Sequence, residues 1–407
     1  MSQVILTGVE DTARRILLLL DDEDLFRACS TSHDTLTLCN GQFWFQKFFN
    51  TYQTHLNQYG FSIDNDDYKK LYKKLRKLSN EEIFLYAVEN GYVTLVESIL
   101  SSGKFYRYVG EKALRLAAEK GRLAVVELLL EHGAAINSDV VDQALRLAAE
   151  KGQLAVVELL LDRGADINSD DGDEAFRLAA QQGHLAVVEL LLERGADVDG
   201  VPSDSYNALI LAAEEGHLAM VELLLAHGAN VHVRKDTALT LAAGNGHLDV
   251  VELLLDAGAA IIDDDGDNPF GWAAKNGHSA VMKVLLDHGK YPQIYVDRAL
   301  AEASQKDVVE LLLDYGADLH VDNDYALISA AGEGHLAIIK LLLYHGADLH
   351  ANNDEALRWA ATNGKLAVVE LLLDRGAKID LIKGVERLSP EIKLFLEQYQ
   401  KTKVNRK

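Results

Sequence analysis

Histidine is the residue type in this chain that is best suited to metal binding or proton transfer, and there are fourteen of them. Most occupy two positions of a repeated pattern. His184, His217, His247, His278 and His335 follow a turn glycine, whereas His132, His227, His288 and His345 precede a closing glycine. Because residues that recur in this way are placed by the geometry of the repeat, we expect these rings to bond loop backbone rather than a metal.

Two acidic runs, 170–173 and 263–267, carry the oxygen ligands that calcium prefers. The second is no EF-hand loop, because the twelfth position counted from Asp263 is Ala274 instead of glutamate. We interpret both runs as solvated turns. The sequence also lacks His-Glu-x-x-His, a phosphate-binding glycine loop and Gly-x-Ser-x-Gly. No catalytic residue, metal site or cofactor is predicted, so the chain is not expected to be an enzyme.

The cysteine count and the charge narrow the function further. Cys29 and Cys39 are the only cysteines, which excludes a disulfide framework or a cysteine zinc site and favours a reducing compartment. No apolar run reaches about 18 residues, so no membrane span is predicted. The net charge is −23 for the chain and −27 for residues 81–380 alone. This acidity disfavours nucleic acid and anionic lipid, and either serves solubility or attracts a basic protein.

A repeated pattern runs through residues 82–380. Ala-Ala recurs, as at Ala148-Ala149, and each copy is followed by a hydrophobic triplet such as Leu159–Leu161 and a closing glycine such as Gly164. The spacing is mostly 30 or 31 residues. The unit that ends at Gly316 is shorter, because Ala303-Ser304 replaces Ala-Ala and the usual turn is missing. With a degenerate first unit, the pattern gives about ten units.

Each unit is predicted to form two short antiparallel helices. We expect Asp142 to cap the first helix, and aspartate recurs at this position as Asp173, Asp236, Asp267, Asp297, Asp324 and Asp354. Paired alanines let the next helix come close, and Gly152 provides the left-handed residue that ends the helix. The second helix has one apolar stripe, formed by Leu154, Val157, Leu160 and Leu161. A single pair cannot bury this stripe, so neighbouring copies must cover it.

The order of these motifs resembles the ankyrin repeat family: Leu-Ala-Ala, Gly-His-Leu, Val-Val-Glu-Leu-Leu-Leu and Gly-Ala-Asp. The resemblance implies an all-α solenoid of about ten helix-turn-helix units. The family period is 33, and the units here are shorter where the family has its β-hairpin finger. Asp-x-Ala-Leu also replaces the family's Thr-Pro-Leu-His, so we expect short fingers and aspartate caps. This short-period variant resembles the ankyrin arrays of large DNA viruses and some intracellular bacteria.

Residues 1–60 lack the repeat, and their apolar residues fit three short helices. The spacing resembles an F-box, a module that docks on the Skp1-type adaptor of a cullin ubiquitin ligase. The resemblance implies that the adaptor contacts are made by Ile16, Leu17, Leu20, Leu25, Phe43 and Trp44. The alternative is a structural cap that shields the first repeat from water.

Two further segments flank the repeats. Residues 61–81 alternate Lys and Arg with apolar residues and are predicted to form a helical connector, with a nucleic-acid or nuclear-import patch as the alternative. Residues 381–407 carry a helix start at Ser389-Pro390-Glu391, which predicts a C-terminal capping helix that is followed by a basic tail.

The predicted solenoid indicates a protein–protein interaction adaptor. In the ankyrin repeat family, the finger tips and the first helix of each pair line the concave face of the solenoid. We expect the partner, of basic character, to be contacted there by residues that vary between copies. These residues are Asp171, Tyr206, Arg234, Asp265, Trp272, Tyr295, Asn323, Asn353 and Trp359. For the two tryptophans the alternative is packing between units.

Two hypotheses for the function of this adaptor remain open. The chain either recruits a target protein to a Skp1/cullin-type ubiquitin ligase or acts as an ankyrin scaffold with no ubiquitin link. We expect a monomer in the cytoplasm, which is the host cytoplasm for a viral or bacterial effector, with a nuclear location as the alternative.

Overall fold

The computed structural model describes residues 80–101, 107–132, 138–200, 207–261, 268–289, 291–382 and 388–404. The chain divides into two compact units, residues 1–201 and 202–407. All regular structure within the described residues is helical, as the repeat pattern predicts. The predicted N-terminal module, residues 1–60, and nearly all of the connector lie outside the described residues.

The first unit contains four helix pairs. They are α1 (Asn80–Asn90) with α2 (Val93–Ser101), α3 (Arg107–Glu119) with α4 (Leu123–Glu131), α5 (Ser138–Glu150) with α6 (Leu154–Asp162), and α7 (Asp170–Gln181) with α8 (Leu185–Glu193). First helices pack on first helices along α1, α3, α5 and α7, and second helices pack on second helices along α2, α4, α6 and α8.

The second unit contains six more pairs, so the described chain has the predicted ten. They are α9 (Ala208–Glu214) with α10 (Leu218–Ala226), α11 (Thr237–Asn245) with α12 (Leu248–Asp256), α13 (Pro269–Asn276) with α14 (Ser279–His288), α15 (Gln293–Glu302) with α16 (Lys306–Asp314), α17 (Tyr325–Glu333) with α18 (Leu336–Tyr344), and α19 (Ala351–Thr362) with α20 (Leu366–Asp374). First helices again contact first helices.

The chain ends with a 3-10 helix, Ile379–Ile382, and α21, Pro390–Val404. Ser389 lies just before α21, and its hydroxyl oxygen accepts a hydrogen bond from the Ile392 N–H at 3.3 Å, which confirms the predicted helix start. Ile392 and Leu396 are buried. No helix in the described part of the chain is long and apolar enough to cross a membrane.

The turn inside each pair except the shortened one, α15 with α16, is closed by a left-handed glycine, as predicted. In the third pair Gly152 has φ of +69°, and the next N–H, that of Gln153, donates to the Ala148 carbonyl at 2.9 Å. A side chain at such a φ would be strained, so glycine is required there. The described connections between pairs are turns without strands, which agrees with the prediction of short fingers.

The core lies between successive pairs, with one correction to the predicted stripe. Ala148 and Ala149 are fully buried, and so are Val157 and Leu160. Leu154, however, is 40% exposed. As the first residue of α6 it is on the solvent side of the turn. Val156, which was predicted to lie on the flank of the stripe, is buried instead.

The predicted aspartate caps are wrong. Asp142, Asp173 and Asp297 lie inside helices α5, α7 and α15 rather than before them. Asp236 and Asp324 do precede α11 and α17, but their left-handed backbone leaves their carboxylates without a bond to the first helical N–H groups. Asp354 shares that left-handed backbone inside the bounds of α19, and Asp267 lies outside the described residues.

Where side-chain caps do occur, other residues provide them. Ser169 accepts from Gly172 N–H at 3.1 Å, Asn207 from Ile210 N–H at 3.0 Å, and Asn268 from Gly271 N–H at 2.8 Å. Hydroxyl and amide oxygens satisfy the free N–H groups of a helix start as well as a carboxylate does. The aspartates are therefore available for a different contact.

Candidate functional site

The predicted partner-binding residues are distributed over both units. Tyr206 and Asp265 lie outside the described residues, as do the six residues predicted to contact an adaptor, Ile16, Leu17, Leu20, Leu25, Phe43 and Trp44. Asp171 belongs to the first unit, and the six other described residues belong to the second. Their role in binding stays a prediction.

Asp171 links two successive first helices. Its Oδ1 accepts a hydrogen bond from Arg146 Nε at 2.8 Å, between α7 and α5, and both side chains are partly exposed. An ion pair in this setting contributes little to stability. It fixes the positions of the two side chains on the surface of the first helices.

Three of the predicted residues lie in equivalent left-handed turns at the start of first helices of the second unit. Arg234, Asn323 and Asn353 are all exposed, and each has a positive φ, of 50°, 58° and 59°. Each belongs to a run of three successive left-handed residues, for example Asp322, Asn323 and Asp324. Such runs are unfavourable for residues other than glycine, so other contacts must hold them.

A buried carboxylate holds each of these turns at its last residue. Asp354 accepts a hydrogen bond from the ring Nδ1–H of His350 at 2.6 Å and from the Lys378 N–H at 2.5 Å. Asp324 makes the corresponding bonds with His320 at 3.1 Å and with Asp348 N–H at 2.9 Å. The carboxylate thus closes its own turn and ties it to the next one. This keeps the exposed turn residues in fixed positions.

The two tryptophans of the described chain each contact a glycine of the preceding first helix. Trp272 is 41% exposed and Trp359 is 47% exposed. A Cβ placed on Gly244 would lie 3.2 Å from Trp272 Cβ, and one on Gly332 would lie 3.1 Å from Trp359 Cε3. Each ring is therefore packed between successive helix pairs of the second unit and is exposed to solvent as well. The packing alternative therefore holds for part of each ring, and a role of the exposed part in partner binding stays a prediction.

The glycine partners were missed in the sequence, although a signal was present. Gly244 and Gly332 follow Ala-Ala where most other copies have a larger residue, and a tryptophan stands before Ala-Ala in the next copy each time. The small residue makes room for the large one. Tyr295, the remaining predicted residue, is half-buried in α15.

A cleft of about 550 Å³ opens beside Trp272. It is lined by Trp272 and Lys275 of α13, Glu302 and Ser304 of the shortened pair, and Glu333 and His335 of the following pair, together with Asn268 and Gly271. Of these eight residues only Trp272 was predicted to contact a partner protein. The cleft comes from a deletion in the repeat, and such a deletion brings together residues that show no motif in the sequence.

Several of the periodic histidines bond backbone carbonyls as predicted, whereas the ring of His335 makes no such bond among the described residues. His184 Nε2–H donates to the Glu150 carbonyl at 3.0 Å, and His247 Nε2–H donates to the Glu214 carbonyl at 2.9 Å. At the other position, His132 Nδ1–H donates to Leu128 O at 3.0 Å. No group of three potential metal ligands is found within the described ranges.

Burial changes the titration of two recurring aspartates in the first unit. Desolvation raises the pKa of Asp142 above 3.8 and outweighs the backbone hydrogen bond from Asp166. Desolvation also raises the pKa of Asp173, and the negative charges of Asp197 and Asp170 add to that effect. Both shifts come mainly from desolvation, with neighbouring carboxylates adding to it, and they do not mark an acid–base pair.

Helix pairs that stack through fixed turns and display variable exposed side chains define a helical repeat protein of the kind that binds other proteins. The family model described as "Ankyrin repeats (3 copies)" matches residues 84–171, 145–235, 231–295 and 298–383. The chain therefore belongs to the ankyrin repeat family, whose function is protein–protein interaction and which is typically non-enzymatic.

A solved structure similar to the chain is the crystal structure of the human ASB11 ankyrin repeat domain, which is 27% identical. The match covers 50% of this chain and 98% of that one, with a TM-score of 0.45. No curated protein matches the chain.

Proposed function

We propose that this protein is an adaptor that holds a target protein on its repeats and brings it to a Skp1/cullin-type ubiquitin ligase through residues 1–60. Membership of the ankyrin repeat family supports the first half of this proposal. The second half depends on the F-box resemblance of Ile16, Leu17, Leu20, Leu25, Phe43 and Trp44. The repeats and the N-terminal segment would then bind two different proteins.

The observation that carries target binding is the exposure of the two tryptophans. At the position before Ala-Ala, Leu211 and Leu241 stand where Trp272 and Trp359 stand in other copies. A repeat that needed only packing at this position would keep leucine. Exposed aromatic side chains are the residues that contribute most to protein interfaces. We therefore place the target on the first-helix surface of the second unit.

The charge supports a basic target. Residues 81–380 have a net charge of −27, which attracts a positively charged protein and repels nucleic acid. We propose a monomer that acts in the cytoplasm, in an infected host if the likeness to viral and bacterial ankyrin arrays reflects its origin.

Binding of a purified Skp1-type adaptor to the full chain tests the ligase half of the proposal. We expect a complex that is lost when Leu20, Leu25 and Trp44 are all replaced by alanine. Tyr344→Ala, which changes an 84% exposed aromatic residue on a second helix, is the control and should bind as the parent does. If the parent chain does not bind the adaptor, the ligase proposal is wrong and the scaffold alternative, with the N-terminus as a cap, takes its place.

A further inference from the structure

The shortened pair, α15 with α16, lacks the turn that every regular pair uses. From Ser304 to Val308 the chain advances four residues, whereas from Ala243 to Val250 in a regular pair it advances seven. The missing three residues include the left-handed glycine. The pair still stacks, because Ser304 N–H donates to the Ala274 carbonyl at 3.3 Å and Asp297 accepts from the Asp318 N–H at 2.7 Å.

The missing turn leaves a gap between the turn of the preceding pair and the turn of the following one. This gap is the cleft of about 550 Å³ beside Trp272. Lys275 borders it on the side of α13, and Glu333 and His335 border it on the other side. Glu302 and Ser304 lie in the cleft from the shortened pair itself.

Three polar side chains of this cleft have no partner within the part of the chain that the structure describes. In a regular context a histidine such as His247 donates to the carbonyl of the preceding turn at 2.9 Å. The ring of His335 makes no such bond among the described residues. Glu302 and Glu333 likewise have neither an ion pair nor a side-chain hydrogen bond among the described residues.

A cation already lies against the aromatic ring of the cleft. Lys275 Nζ is 5.6 Å from the centre of the Trp272 ring, within the range of a cation–π contact. The ring is 41% exposed, so it has surface left for a ligand. With two carboxylates against one ammonium group, the cleft has a net negative charge and a polarity that fits a second cation.

We propose that this cleft is the anchor site for an arginine side chain of the bound target protein, an inference that rests on the proposed function. A guanidinium group is planar, stacks on an aromatic ring and pairs with carboxylates in a way that a lysine ammonium does not. It would pair with Glu302 and Glu333 and compete with Lys275 for Trp272. An anionic ligand would meet the two carboxylates and is disfavoured.

A small probe tests the site in the full-length chain without a protein partner. N-acetyl-arginine methylamide is titrated into protein labelled with 5-fluorotryptophan, and the ¹⁹F resonances of Trp272 and Trp359 are followed. N-acetyl-citrulline methylamide, which has nearly the same shape without the charge, is the neutral counterpart. We expect the arginine probe to move the Trp272 resonance in a saturable way, with Trp359 nearly unchanged and citrulline without effect.

Two substitutions in the cleft should change the affinity in opposite directions. Glu302→Gln should weaken the arginine probe by about two- to fivefold, the range of a solvent-exposed ion pair. Lys275→Met should strengthen it by about as much, because the competing cation is removed while the stem is kept. The matched controls are Glu370→Gln and Lys340→Met, which make the same changes at exposed positions of α20 and α18 and should leave the affinity as it is.

The site is refuted if the Trp272 resonance does not respond, if citrulline shifts it as arginine does, or if Glu302→Gln binds as Glu370→Gln does. This outcome is separate from the adaptor experiment. Failure of the Skp1-type adaptor to bind would remove the ligase proposal and leave an arginine site intact. Failure of the arginine probe would remove the cleft as an anchor and leave target binding by other residues open to test.

Discussion

Asp142, Asp297, Asp324 and Asp354 each accept a hydrogen bond from a backbone N–H in the turn that follows their own helix pair. The spacing is 24 residues in the regular pairs and 21 in the shortened one, so the contact survives the deletion. A carboxylate that satisfies a partly buried N–H in this way joins one helix pair to the next. The recurring aspartate is thus a link between successive helix pairs.

Replacing Asp142 by alanine should lower the free energy of unfolding by about 1–3 kcal/mol, because the Asp166 N–H loses its acceptor. Alanine suits the interior of α5, so helix propensity does not add to the loss. Urea unfolding measures the change. Asp314→Ala, at an exposed position of α16, is the control and should cost less than about 0.5 kcal/mol. Equal losses for the two variants would mean that the link contributes nothing.

The raised pKa values of Asp142 and Asp173 predict a dependence of stability on pH. The folded protein binds the proton more tightly than the unfolded chain, so protonation stabilises the fold. This contribution is fully present below pH 3.8 and is lost as the pH rises through the folded values. A variant with Asn at both positions should therefore lose less stability than the parent between about pH 3.8 and neutrality. Parallel stability curves for the two proteins would contradict the cause assigned to these shifts.

At this scale the sequence predicts the type of contact better than the partner. The periodic histidines were expected to bond loop backbone, and His184 and His247 do. The periodic aspartates were expected to cap helices and instead bond the next turn. For Asp236, Asp324 and Asp354 the difference lies in the left-handed residues at the start of α11, α17 and α19, whose conformation depends on contacts with neighbouring helix pairs. Nothing local to Arg234 or Lys235 predicts a positive φ.

Where successive first helices contact each other, a small residue on one helix faces a large side chain on the next. Gly244 of α11 makes room for Trp272 of α13, and Gly332 of α17 makes room for Trp359 of α19. In a close-packed interior, an extra methyl group lowers the stability of the fold when the neighbouring side chain cannot move. The pairing of glycine with tryptophan is therefore a property of two helices together.

A double-mutant cycle tests this match. Gly244→Ala should destabilise the parent or displace the indole, because the new methyl group would lie 3.2 Å from Trp272 Cβ. In the Trp272→Leu background, where the neighbour is the residue found in other copies, the same change should be neutral or stabilising by up to about 1 kcal/mol. Urea unfolding of the four proteins gives the coupling energy. A coupling energy of zero would show that the two positions are independent.

The second helix of each pair supplies the apolar surface that the next pair covers. Leu160→Ala should reduce the free energy of unfolding by about 2–5 kcal/mol, because the side chain is fully buried between pairs. Leu154→Ala makes the same chemical change in the same helix at a position that is 40% exposed. It should cost well under half as much. Similar losses at both positions would mean that the apolar face of α6 had been misplaced.

Helix content and number were predictable, because paired alanines, leucine triplets and glycines repeat with a fixed period. The ten pairs follow from that period alone. The cleft at the shortened pair was not predictable, although the deletion was visible. Its consequence depends on which residues of α13 and of the turn after α17 come to face the gap, and these residues are remote in sequence.

At the scale of the whole molecule, stability and binding have the same origin. Each pair buries its alanines and valines only against the pairs beside it, so no pair of the described chain is self-sufficient. The same stacking leaves side chains of the first helices, such as Trp272 and Trp359, in a fixed array that a target protein can contact. The net charge of −27 over residues 81–380 surrounds this array and favours a basic target.

Hydrogen exchange along the full-length chain with and without Leu160→Ala tests the stacking directly. We expect the loss of protection to be greatest in α5 to α8, smaller in α3 and α4, and absent in α17 to α20, because each pair is stabilised by its neighbours. A uniform loss of protection from the first pair to the last would mean that the Leu160 side chain belongs to one shared core, and would contradict a stack in which each pair is stabilised by the pairs beside it.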